Sequence, residues 1–152
     1  MKGKIVQNWE KKKNSPTILK KRFLDHVTNH KVFGVYSIND DLLTPNDENE
    51  FNRKLRKLLP KHDMVIVSDY GHGLITKKII NILSSKSNFL AVNAQINAGN
   101  KGYNLITKYK KLDFLCIDEP ELRLGLSDKN TKLNNLVNSL DNKKYKNIMF
   151  TK

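Results

Sequence analysis

Apolar residues in this chain come in short runs whose rhythm changes along its length. Residues 1–14 show no clear period. Pro16 to Ser37 holds two β-rich segments, Pro16–Asp25 and Lys31–Ser37, around the short turn Val27–His30, which predicts an antiparallel hairpin. Its alternation is ragged, so one face is expected to be only partly covered. Thr44-Pro45-Asn46-Asp47 can start a helix, and Phe51, Leu55, Leu58 and Leu59 follow at helical spacing until Pro60 ends it. Beyond Pro60 the rhythm is regular. Met64–Val67, Phe89–Val92, Phe114–Ile117 and Ile148–Phe150 are short continuous apolar runs, as in strands covered on both faces. Between them lie a helix capped by Thr76 and carrying Ile79, Ile80, Ile82 and Leu83, a short helix near Tyr103–Tyr109, a helix opened by Asp118-Glu119-Pro120-Glu121, and one over Lys132–Leu140. Strands alternating with helices predict an α/β fold: a mostly parallel, Rossmann-like sheet with helices on both faces. The chain divides into a basic arm (1–14), a hairpin (16–37) and an α/β core (45–152).

Composition narrows the class. With 152 residues one domain with a real core is expected, and the single cysteine, Cys116, excludes a disulfide framework and a Cys-based zinc site. No apolar run approaches the roughly 20 residues of a membrane span, and the N-terminus lacks the apolar stretch of a secretory signal, so a soluble cytoplasmic protein without membrane partners is expected. A net charge of +13 suggests nucleic acid at first sight. Yet only four of the 28 basic residues are arginine (Arg22, Arg53, Arg56 and Arg123), the residue whose planar fork suits phosphate and base edges. The lysines are spread along the chain, with one dense run at Lys11–Lys13. A solvated surface is the preferred reading, and nucleic acid is not expected as a partner.

In parallel sheets ligands bind beyond the carboxyl ends of the strands. After the first core strand comes Ser68-Asp69-Tyr70-Gly71-His72-Gly73, where Gly71 and Gly73 permit positive φ and close backbone approach, and Asp69 either meets a ligand or caps the turn. Gly71-x-Gly73 is no dinucleotide fingerprint, because the third glycine is missing. After the second strand comes Asn93 to Asn104, rich in amides and including Asn97 and Asn100, which suits sugar hydroxyls or a phosphate edge but is also an ordinary asparagine-rich turn. After the third, Asp118 and Glu121 lie one helical turn apart. They can hold Mg²⁺, directly or through water, or simply cap the helix. Thr151 stands at the start of a fourth loop. His72 is the one histidine with a candidate role; His26, His30 and His62 read as surface residues, and Cys116 as a small buried hydrophobe.

Taken in order, these pieces resemble the ribokinase-like (PfkB) carbohydrate kinases, nearest to the kinase half of bifunctional heptose-phosphate kinase/adenylyltransferases. Ser15-Pro16-Thr17-Ile18-Leu19-Lys20-Lys21-Arg22-Phe23 is similar to the family's PT-x-x-K-x-R strand, and Asp63–Gly73 (DMVIVSDYGHG) to its D-x-V-x-x-S-D-Y-G-K-G block. Asp118-x-x-Glu121 falls where the family has N-x-x-E, and Phe150-Thr151 at the start of its T-x-G loop. The resemblance covers Ser15 to Lys152. It implies ATP-dependent phosphorylation of a sugar or sugar phosphate, with ATP and Mg²⁺ as cofactors and the hairpin as a lid over the sugar. Sugar contacts are implied near Lys20, Asp69, Gly71, Gly73, Asn97 and Asn100. Nucleotide and Mg²⁺-linked phosphate contacts are implied at Asp118, Glu121 (to metal through water) and Thr151. A homodimer through the lid is a further implication.

The chain departs from the family at Asp118 (usually Asn), at His72 (often Lys) and at Asn93-Ala94-Gln95 (commonly D-P-K). None of its seven glycines forms the G-x-G-D motif that supplies the family's catalytic base, so that aspartate is expected beyond Lys152 and no catalytic residue within these 152. The expectation is an internal piece of a sugar kinase, inactive by itself. The alternatives are a basic nucleic-acid-binding or assembly module on a Rossmann-like core, and a different small α/β enzyme using Asp69, His72 and Asp118.

Overall fold

The structure, a computed structural model, describes residues 7, 12–97, 99–140 and 145–151. Most of the basic arm, Lys11 included, lies outside the described residues, as does Lys152.

The hairpin forms as its sequence predicts. β1 (Leu19–Leu24) and β2 (Lys31–Ser37) pair antiparallel with Phe23 opposite Phe33, and these rings stack with centroids 4.4 Å apart. Asp25 closes the turn: its Oδ1 accepts from the backbone N–H groups of Val27 and Thr28, and Asn29 takes the left-handed conformation at φ 56°. Both faces of the ribbon are open, not one; Leu19, Phe23, Phe33 and Val35 share a face and are each about half exposed.

α1 (Pro45–Leu58) starts where Thr44 Oγ1 accepts from Asp47 N, and one 3-10 turn (Leu59–Lys61) ends it. The core sheet follows. β3 (Val65–Asp69), β4 (Leu90–Ala94), β5 (Leu112–Asp118) and β6 (Tyr145–Thr151) are parallel and adjacent in chain order. α2 (Lys77–Lys86) links β3 to β4; α3 (Glu119–Leu126) and α4 (Leu133–Asn138) link β5 to β6. Between β4 and β5 the expected helix is reduced to one 3-10 turn, Ile106–Lys108, since Asn, Gly and Lys occupy the preceding residues.

The expectation of helices on both faces fails among the described residues. Right-handed crossovers between strands laid down in one direction all pass over the same face, and only a reversal of strand order would send one over the other. The covered face holds Val67, Val92, Leu115 and Ile117 against Ile79, Leu83, Ile106 and Leu122, all buried. The opposite face carries Met64, Ile66, Ala91, Phe114, Cys116 and Met149. Ile66 is 74 % exposed, and Met64, Phe89, Phe114 and Cys116 line an open apolar hollow of about 280 Å³. Cys116 is therefore half-buried on this open face, not enclosed in the core.

Candidate functional site

The parallel sheet brings the ends of all four strands to one edge. Asp69 lies in register with Ala94, and Asp118 with Thr151. The loops after β3, β4 and β5 are then locked together by hydrogen bonds. Gln95 N and Asn104 Nδ2 both donate to Asp69 O (2.8 and 2.9 Å), and Asn97 Nδ2 and Asn100 Nδ2 both donate to Tyr70 O (3.2 and 2.8 Å). Ile96 N donates to Glu121 Oε1 at 3.0 Å. Asp69, the Asn97–Asn100 turn and Glu121 thus belong to one connected region.

Their roles within it differ. Asp69 is buried and turned inward: Oδ1 accepts from Gly71 N (2.9 Å), while Oδ2 accepts from Tyr109 Oη (2.8 Å) and pairs with Lys108 Nζ. Burial, the nearby Asp69 charge and the hydrogen bond to it all push the Tyr109 phenol well above its ordinary value. Both Asp69 oxygens are engaged, so in this arrangement Asp69 fixes the loop. A carboxylate buried at a strand tip needs donors, and that requirement was the signal for Tyr109 and Lys108, which sequence reasoning did not single out. Asn100 and Asn104 are likewise buried and spent on closing the loop; Asn97 is exposed, with its Oδ1 accepting from Gly99 N and Asn100 N, so that one Nδ2–H is left without a described partner.

The glycines are required by geometry. Gly71 (φ 73°) packs so closely that a Cβ would sit 2.8 Å from Asn104 Cγ, and at Gly73 (φ 78°) a Cβ would sit 2.7 Å from Asp40 O. The loop is therefore pressed on the connector between β2 and α1. His72 Nδ1 lies 2.8 Å from Asp40 Oδ1, and Lys12 Nζ donates to His72 O. His72 thus binds the connector and does not reach the strand tips' polar groups in any described hydrogen bond.

Asp118 and Glu121 form a reciprocal capping box: Glu121 N donates to Asp118 Oδ1 (2.7 Å) and Asp118 N to Glu121 Oε2 (3.3 Å). The capping alternative is thus realised, and Glu121 also ties α3 to the β4 loop. Asp118 Oδ2 has no described hydrogen-bond partner. Beside it Asn97, Lys101, Asp118 and Glu121 surround an open hollow of about 250 Å³. One carboxylate oxygen, a nearby second carboxylate and a lysine would suit a hydrated Mg²⁺ shared with phosphate oxygens. No group of three or more His, Cys, Asp or Glu side chains forms a metal cluster among the described residues. Thr151 is exposed at the end of β6, next to Asp118. Lys20 stands apart on the hairpin with its Nζ 5.8 Å from the Tyr36 ring centroid, and has no hydrogen bond or ion pair to the strand-tip loops among the described residues.

No helix among the described residues is long and apolar enough to cross a membrane. No protein-family model matches the sequence, and no curated protein matches it. Among solved structures the chain is similar to a point mutant of phosphofructokinase-2 from Escherichia coli, with a TM-score of 0.51 and 11% identity, over 78% of this chain and 40% of that one. The chain thus spans less than half the length of that kinase, and what the likeness establishes is the α/β fold alone, which in this chain is a four-stranded parallel sheet with flanking helices and a small antiparallel hairpin.

Proposed function

We propose that these 152 residues form part of an ATP-dependent sugar or sugar-phosphate kinase of the PfkB type. The observation that carries the reading is the strand-tip region, where the loops of β3, β4 and β5 interlock around a hollow holding Asn97, Lys101 and Asp118. Its support is the motif order of the sequence and the fold shared with phosphofructokinase-2. In this reading Asn97 hydrogen-bonds a substrate hydroxyl. Lys101 holds a phosphate oxygen, and Asp118, with Glu121 through water, holds Mg²⁺. Bound there, Mg²⁺ would neutralise charge on the phosphates during transfer. Asp69, Gly71, Gly73 and Asn100 shape the loop, and Thr151 lies beside the phosphates. Lys20 would reach the sugar when the hairpin closes. A second copy of the chain would cover the apolar hairpin face of Leu19, Phe23, Phe33 and Val35. A heptose phosphate is the preferred substrate, on the resemblance of the Ser68–Gly73 block alone.

The proton-accepting carboxylate would come from polypeptide outside these 152 residues, seated on the open sheet face, since parallel strands are ordinarily covered on both sides. Two measurements test the reading. MgADP should slow amide exchange in residues 95–104 and at the start of α3, and Asp118→Ala should remove that protection; no protection would refute the site. Sugar-dependent ADP release by the chain alone should stay at background, and robust turnover would overturn the external carboxylate.

A further inference from the structure

A second polar groove lies between α1 and α2, and none of its residues belongs to the strand-tip loops. Asn49, Asn52, Arg53, Arg56 and Lys57 follow the i, i+3, i+4, i+7, i+8 pattern that lines one face of a helix. Across from them Lys78, Asn81 and Ser85 form the matching stripe of α2. The groove is open to solvent and spans about 740 Å³, room for a small molecule lying along it.

Its charge is one-sided. Arg53, Arg56 and Lys57 are exposed, and none has an ion pair with a described residue. No carboxylate lines the groove among the described residues. The nearest acids of α1 are already engaged: Glu48 accepts from Thr76 Oγ1 and pairs with Lys78 Nζ at 2.8 Å, and Glu50 pairs with Lys54 at 3.3 Å. Lys78 is thereby neutralised, so the α1 wall is cationic while the α2 wall offers an amide and a hydroxyl. Asn52 also lines the groove, and its buried Oδ1 has no hydrogen-bond partner among the described residues. Two of only four arginines in the chain stand one helical turn apart here. Arginine's fork grips phosphate through two parallel hydrogen bonds, which a lysine cannot do.

We infer that the α1–α2 groove binds a small phosphorylated, hydroxyl-bearing molecule, with its phosphate on Arg53, Arg56 and Lys57 and its hydroxyls toward Asn52, Asn81 and Ser85. Three uncommitted cations suit one or two phosphates; a nucleic-acid duplex is commonly held through about 6–10 phosphate contacts. The inference is independent of the kinase reading, because it uses other residues and needs no turnover.

The test uses the whole chain with inorganic pyrophosphate as probe, at about 150 mM salt, where exposed charges farther apart than about 8 Å are largely screened. Saturable one-site binding is expected, with shifts of the Arg53 and Arg56 side-chain Nε–H resonances in the unaltered protein. Arg53→Gln with Arg56→Gln should weaken binding by about tenfold or more, equivalent to about 1.4 kcal/mol. Arg53→Lys with Arg56→Lys should also weaken it, since net charge is kept and the fork is lost. Lys21→Gln with Lys129→Gln removes the same charge elsewhere and should leave affinity within about twofold. Thermal melts report whether each variant is folded. No saturable binding at millimolar pyrophosphate, or equal weakening by the groove pair and the Lys21/Lys129 pair, would overturn the inference. So would tighter binding of a single-stranded oligonucleotide that is insensitive to the arginine changes.

Discussion

Tyr109 Oη and Asp69 Oδ2 are joined by a 2.8 Å hydrogen bond in which neither side chain reaches solvent. That contact ties the end of the β4–β5 connection to the tip of β3. Tyr109→Phe removes a donor from a buried carboxylate and should cost about 1–3 kcal/mol of stability in urea titration. The pH dependence has a definite sign. The phenol's folded-state value is raised above its ordinary 10.0, so its contribution is complete below about pH 10 and declines as pH rises further. Wild type should lose stability above pH 10 more steeply than Tyr109→Phe.

The three positive-φ glycines among the described residues make a graded series. At Gly73 an added Cβ meets the backbone of Asp40 and Asp41, which cannot step aside; at Gly71 it meets the side chains of Asn100 and Asn104, which can. Gly102, at φ 86°, has open space and carries only backbone strain. Alanine at Gly102 should cost about 1 kcal/mol, with Gly71 costlier and Gly73 costliest, about 3 kcal/mol or more. Chemical denaturation of the three variants gives the order, and an equal cost at Gly73 and Gly102 would contradict the close packing of the connector.

Asp113 clips three strands: its Oδ2 accepts from Leu90 N at 3.0 Å and its Oδ1 pairs with Lys146 Nζ at 2.7 Å. The Lys146 hydrogen bond, then that from Leu90 N–H, holds its carboxyl below the ordinary 3.8. A depressed carboxyl stabilises the fold above the unfolded-state value and loses that contribution as pH falls through the folded one. Asp113→Asn should lower stability at neutral pH by about 1 kcal/mol and flatten the acid limb of the stability profile. An unchanged acid limb would remove Asp113 from the account.

The two faces of the sheet should respond oppositely to truncation. Leu115→Ala, at a fully buried position, should cost about 2–5 kcal/mol. Ile66→Ala, on the open face, should change stability by no more than about 0.5 kcal/mol while lowering binding of a hydrophobic dye. A large cost at Ile66 would mean that something already covers that face in solution.

The elements were legible because apolar spacing differs between ribbon, helix and strand. Thr44, Thr76 and Asp118 cap the helices that their sequence context predicts. Strand ends were less legible: Leu112 and Asp113 extend β5, and Tyr145 starts β6, because pairing with neighbours, not local apolarity, sets where a strand begins. The open face was hidden for a related reason. Met64, Ile66, Phe114 and Cys116 have the composition of doubly covered strands, and composition carries no record of which face a crossover passes over. At the strand tips, position along the chain indicated which loops meet, while the inward turn of Asp69 depended on Tyr109, 40 residues later.

The sheet's spatial order repeats the order of synthesis, β3 to β6. Each strand emerging from a ribosome therefore meets its hydrogen-bonding neighbour already in place, one crossover behind it. Such nearest-neighbour assembly shortens the loops that must close before a contact forms, and favours quick folding for a parallel sheet.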